Sequence, residues 1–196
     1  MVESGAGGGM TGDDERLHEE LLESRLAYDG AFLKLYQDKV RAADGHVGTR
    51  EYVHHPGAVT VIALLDNGHI VLERQYRHPL RRTMIEIPAG KIDPGDAPLA
   101  CAQRELLEET GYSAATWHYL GGFHNAFGYS DEKIEVFLAQ GLKREQTSQD
   151  EGEVIEVFTA PLQEVATWIR NGTVTDVKVI IGIDWLQQWL AGKLIA

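Results

Sequence analysis

The stretch "GKIDPGDAPLACAQRELLEETGY", residues 90–112, decides how the rest of the chain is read. Read as a helix from about Pro98, it puts Glu105, Glu108 and Glu109 at i, i+3 and i+4, on one face, with Cβ neighbours about 5–6 Å apart. Gly111 is the natural residue to end that helix, so Glu108 and Glu109 fall in its last turn. Like charges at this spacing cost about 0.2–0.5 kcal/mol per pair. Acids in a last turn also oppose the helix dipole, at about 0.3–1 kcal/mol each when exposed. A divalent cation removes both penalties, and magnesium takes hard oxygen ligands of this kind, commonly a few carboxylates plus substrate phosphates. Two blander readings stand beside it: a solvated acidic face, and an acidic helix that docks a basic partner.

The bulk of the chain fits an ordinary globular protein of 196 residues, 43% hydrophobic and 24% charged, enough for one domain with an annex. Thirty acids against eighteen bases give a net charge of −12. That argues against a nucleic-acid binder, which needs a basic footprint. The lone Cys101 cannot form an intrachain disulfide, so nothing suggests an oxidising compartment. The longest apolar runs, such as "AVTVIALL" (58–65), are too short to span a bilayer. No membrane association and a cytoplasmic location are the expectations.

Residues 1–14 are glycine-rich and acidic, a composition that predicts a disordered tail. Residues 15–56 predict a small β annex: "SRLAYD", "AFLKLYQDKV" and "HVGTREYVHH" are split by Asp29-Gly30 and Asp44-Gly45. Three strands bury little by themselves, so the annex is expected to lean on something else, such as a second subunit. In residues 57–196, "GAVTVIALLD" and "HIVLERQYR" read as strands joined by Asp66-Asn67-Gly68, and "MIEIPAG" as a strand running into a loop. "ATWHYLGGFHN", "KIEVFLAQGL" and "EVIEVFTA" are further strands. "PLQEVATWIRNG" has a helical apolar period, and "TDVKVIIGIDWLQQWLAGK" predicts a terminal helix capped by Thr175 or Asp176. The class is α+β, a sheet flanked by helices.

The spacing within the first stretch is more telling than its charge. Gly90, five residues, Asp96, seven residues and then "RELLEETGY" (104–112) closely resemble the Nudix signature. The likeness extends over about residues 50–190 and implies an α/β/α sandwich with a mixed sheet, and magnesium-assisted hydrolysis of a nucleoside diphosphate linked to another moiety. Asp96 and Tyr112 depart from the signature, which has glutamate and an aliphatic residue there. Asp96 also suits an N-cap for a helix beginning Ala97-Pro98. Arg104 resembles the family arginine that orients neighbouring glutamates.

"LERQYRHP" (72–79), "EIPAGKIDPGD" (86–96) and "GYSDEKIEVFLAQGL" (128–142) resemble the ADP-ribose pyrophosphatase branch. That branch uses an N-terminal β segment to build a homodimer. The resemblance implies metal ligation by the Ala89 carbonyl, Glu105 and Glu109, with Glu108 close behind. It implies that Glu151 or Glu153 is the base, Glu153 doubling as a ligand. Arg50 and Arg77 would contact the diphosphate or terminal phosphate, where a guanidinium fork matches phosphate oxygens, and Glu132 would lie near the substrate. Phe127 stands where the branch carries a proline; it offers a stacking face, as do Tyr28 and Tyr52. ADP-ribose is the substrate implied, with another nucleoside diphosphate sugar or a dinucleoside polyphosphate as alternatives. Manganese could replace magnesium. A sensor that binds a nucleotide without cleaving it would lack the box acids, which this chain keeps.

Overall fold

The structure, a computed structural model, describes residues 16–145 and 154–194. The tail expected at residues 1–14 and the acids Glu151 and Glu153 lie outside the described residues. The chain divides into two units: one holds the chain up to His55 together with Ala126–Asp131, the other Pro56–Asn125 and the chain from Glu132 onward.

The first unit is an antiparallel sheet of β1 (Glu20–Asp29), β2 (Lys34–Arg41) and β3 (Val47–His54), in that order. Both turns fall at the dipeptides that signal them, Gly45 adopting φ 87°. The sequence places residues 126–131 within the large domain, but they pair with the end of β3 instead. Val53 N–H donates to the Tyr129 carbonyl at 2.9 Å, and Asp131 takes His55 N–H at 2.8 Å and His54 Nδ1 at 2.6 Å.

In the second unit β4 (Ala58–Ala63) is buried at every position, the mark of a strand covered on both faces. Val59, Val61 and Ala63 pack with Cys101, Ala102 and Leu106 of α1 (Pro98–Thr110). Ile62 packs the other way, with Val179, Ile183 and Leu186 of α3 (Val177–Leu190) and Val165 of α2 (Leu162–Arg170). Period-two alternation in one apolar run thus sets helices on both sides. β4 is parallel to β9 (Lys133–Arg144) and antiparallel to β7 (Ala89–Lys91), in the order β7-β4-β9-β8 with β8 at Tyr112–His124. The remaining sheet is β10-β5-β6: Ile155–Pro161, His69–Arg77 and Arg82–Glu86.

Of two local readings, the first holds as a turn between strands and the second needs correction. The Asp66-Asn67-Gly68 turn forms, with Gly68 at φ 79°. After one bridge, Leu64 to Ile70, its strands part into different sheets, because β4 takes β9 and β7 as partners and β5 takes β10 and β6. The second, "MIEIPAG", is two strands. The chain changes sheets at Ile87-Pro88, where the Pro88 carbonyl accepts from Val61 N–H at 2.8 Å and from Thr60 Oγ1 at 3.0 Å. That switch puts Glu86 at the end of one sheet and Ala89 at the start of the other, three residues apart.

Candidate active site

Helix α1 starts with Pro98 in its first turn, where a missing N–H costs nothing. Its N-cap is Ala97, with no side-chain cap, so Asp96 does not play the capping part its position suggested; its N–H closes a turn onto Asp93 instead. At the other end Gly111 takes the left-handed conformation, φ 70°, and donates to the Leu107 carbonyl at 2.9 Å. The helix lies along β7, and its acids meet that strand in reverse sequence order. Glu109, only 7% exposed, accepts the Ala89 N–H at 3.0 Å. Glu105 lies flat over Gly90: a Cβ built there would sit 2.0 Å from the Glu105 carboxyl carbon.

Arg104 bridges the neighbouring acids, 2.9 Å from Glu105 and 3.0 Å from Glu108. Burial works against its charge, but Glu105 and Glu108 outweigh burial and hold the guanidinium above its ordinary range. Part of the repulsion in the acidic stripe is therefore relieved within the helix, which a count of glutamates alone overlooks. Among the described residues no three His, Cys, Asp or Glu side chains converge as a metal-holding group. The donors that the helix presents to β7 are hard oxygens, the carboxylates of Glu105 and Glu109 against the Ala89–Gly90 backbone. Their chemistry fits a hard divalent cation.

Arg77, at the end of β5, forks onto Glu86 through Nε at 2.6 Å and Nη2 at 2.7 Å. Glu86 is 4% exposed and also receives Lys178 Nζ at 3.0 Å, while Lys178 lies 2.9 Å from Asp176. Burial favours the neutral form of Glu86, yet Arg77 and Lys178 hold its carboxyl below the usual range. Asp176 goes the other way, raised chiefly by burial. The Arg77 charge is favoured first by its bond to Glu86 and, more weakly, by Glu109, so the two clusters feel each other's field. Glu86, Asp176 and Lys178 were not singled out as site residues from sequence. The available signal was a glutamate inside the apolar run Met84-Ile85-Glu86-Ile87.

Arg50, on β3 of the first unit, is forked onto Glu19, with Nε 2.9 Å from Oε2. Phe127 belongs to the same unit and is 86% exposed. Tyr52 stacks on Tyr36 at 5.7 Å. Glu132, in the second unit, accepts from Asn125 at 2.6 Å.

Cys101 faces β7 from the same helix, fully buried, with its thiol 3.2 Å from the Lys91 carbonyl. Burial, then Glu105, pushes that thiol up to about 11. Since the thiolate is the reactive form, native protein at about pH 8 is expected to resist thiol reagents and to release its single thiol only on denaturation. Prompt labelling of the native chain would contradict this.

Residues 54–180 match the model of the NUDIX domain, and residues 19–53 that of the nucleoside diphosphate sugar hydrolase N-terminal domain. The ADP-ribose pyrophosphatase of Bacillus subtilis is 38% identical over 173 residues, 87% of this chain and 94% of that protein. That of Mycobacterium tuberculosis is 38% identical over 84% of this chain and 81% of its own length. The methanol dehydrogenase activator of Bacillus methanolicus is 36% identical over 86% and 92%. The crystal structure of an ADP compounds hydrolase superposes with a TM-score of 0.81 over 89% of this chain and 95% of its own, at 22% identity, a likeness of fold. Among the described residues no helix is long and apolar enough to cross a membrane. With an acid-bearing helix seated on a strand at the spacing of the signature, and with relatives matching along most of their length, the chain belongs to the Nudix hydrolases.

Proposed function

We propose that this Nudix hydrolase cleaves the diphosphate of ADP-ribose or a related ADP-sugar, giving AMP and ribose 5-phosphate in a magnesium-dependent reaction. Glu105 and Glu109, with the Ala89 carbonyl, would hold the ion, with Glu108 beside them. When bound, magnesium neutralises charge on the diphosphate and acidifies the attacking water. The water oxygen attacks one phosphorus, the bridging P–O bond breaks, and the water's proton passes to Glu153 or Glu151. Arg104 keeps Glu105 and Glu108 in place, and Arg77 offers its fork to the phosphoryl oxygens. Arg50, Glu132 and Phe127 are assigned to substrate binding. The observation that carries the reading is the seating of Glu105 and Glu109 on Ala89–Gly90; the names of the relatives at 38% identity support the substrate.

A homodimer through the annex is part of the same proposal, supported by exposed apolar side chains there, Leu21, Tyr28 and Phe32 among them. We also place the protein in the cytoplasm, on its single cysteine, and assign it no nucleic-acid partner, on its acidic balance. A second reading keeps the chemistry and changes the ligand to another nucleoside diphosphate sugar or a dinucleoside polyphosphate. The exposed Phe127 and Tyr129 favour it, as stacking faces in the place of a proline turn. One experiment separates them: a substrate panel with magnesium and product analysis. Preferred turnover of ADP-ribose to AMP is expected. Preferential release of a nucleotide from a dinucleoside polyphosphate would select the second reading, and no turnover of any diphosphate would overturn both.

A further inference from the structure

Glu86 is buried and yet has two cations. Arg77 uses two bonds on it, Lys178 a third, from opposite sides of the sequence. The two cations differ in freedom. The Arg77 side chain is 45% exposed, whereas that of Lys178 is 15% exposed and fixed between Glu86 and Asp176. Asp176 is in turn fixed as the N-cap of α3, accepting the Lys178 N–H at 3.2 Å. These four residues, with Arg82 and Thr175, line a cleft of about 460 Å³.

A buried carboxylate left without a cation is strongly destabilising. If Arg77 were the sole partner of Glu86, a diphosphate could take Arg77 only by stranding that charge. With Lys178 in place the charge is never stranded, and Arg77 can divide its bonds between Glu86 and a ligand. We infer that Lys178, held by Asp176, is the standing counter-charge of Glu86 that releases Arg77 to the substrate diphosphate, and so is a positioning residue for substrate binding. The inference rests on Arg77 being a phosphate contact, as proposed above.

The test uses the full chain with ADP-ribose and magnesium. Lys178→Met is expected to raise KM about tenfold or more with kcat within about threefold, because Arg77 is now drawn onto Glu86. Adding Glu86→Gln to that variant is expected to restore most of the affinity, since no carboxylate remains to hold Arg77. If Lys178→Met does not fold, Lys178→Gln, which keeps a donor without a charge, carries the same expectation. Arg77→Ala is measured alongside. An unchanged KM in Arg77→Ala would remove the phosphate assignment itself. A raised KM there with an unchanged KM in the Lys178 variant would overturn the counter-charge alone. So would a raised KM that Glu86→Gln fails to restore, which marks a merely structural pair. Failure of the parent chain to turn over ADP-ribose would be a failure of the substrate assignment, visible before any variant is made.

Discussion

Glu109→Gln is expected to lower kcat by at least about a hundredfold at saturating magnesium, while the melting temperature measured without magnesium stays close to the parental value. Glutamine keeps the shape and the carbonyl oxygen, so the bond from Ala89 N–H at 3.0 Å survives the substitution. What is lost is one negative charge. That charge repels Glu105 one turn back, at about 0.2–0.5 kcal/mol, and it opposes the helix dipole in the last turn, at about 0.3–1 kcal/mol when exposed and up to about 2 kcal/mol where partly buried. Against these penalties stands its attraction for Arg77, so without a metal its removal is expected to be close to neutral. In the parent chain magnesium is expected to raise the melting temperature by mass action, and in the variant to raise it less. The same titration tests the alternative of an acidic helix built for a basic partner: a parent chain whose melting temperature ignores magnesium, and a variant that retains its turnover, would favour that partner and end the metal assignment.

The features legible in the sequence were those encoded within a few residues. Pro98 and Gly111 bracket α1, the apolar run at 58–63 marks a strand covered on both faces, and Asp176 caps α3. The box acids were found by spacing, and the helix seats two of them on β7. What stayed hidden depends on which strands become neighbours. Nothing near Glu86 names Lys178, 92 positions away, as its partner, and nothing near Arg50 names Glu19, 31 positions away. The parting of β4 from β5 follows from competition among strands for partners, which a turn dipeptide does not encode. Asp96 shows the opposite failure: a residue type suited to capping stands one position too early, and its backbone rather than its carboxylate shapes the entry to the helix.

Gly90→Ala is expected to cost as much activity as removing Glu105, about a hundredfold in kcat/KM, with little loss of fold. Gly90 is needed for room, not for an unusual backbone. An alanine methyl would lie 2.0 Å from the Glu105 carboxyl carbon, 2.1 Å from Oε1 and 2.5 Å from Cγ. None of these separations can persist, and something must move. Of the atoms involved, the glutamate end is the flexible one, whereas the strand is held by its register with β4, Val59 opposite Gly90. The carboxylate therefore gives way, leaving its place over Gly90, and the fold loses roughly the 1–3 kcal/mol typical of an overpacked site. A double-mutant cycle gives the decisive readout. If the methyl acts only by expelling Glu105, then Gly90→Ala costs almost nothing further in a Glu105→Ala background, so the two losses are strongly non-additive. Additive losses, or a Gly90→Ala chain with parental activity, would mean that the carboxylate does its work from some other position than over Gly90.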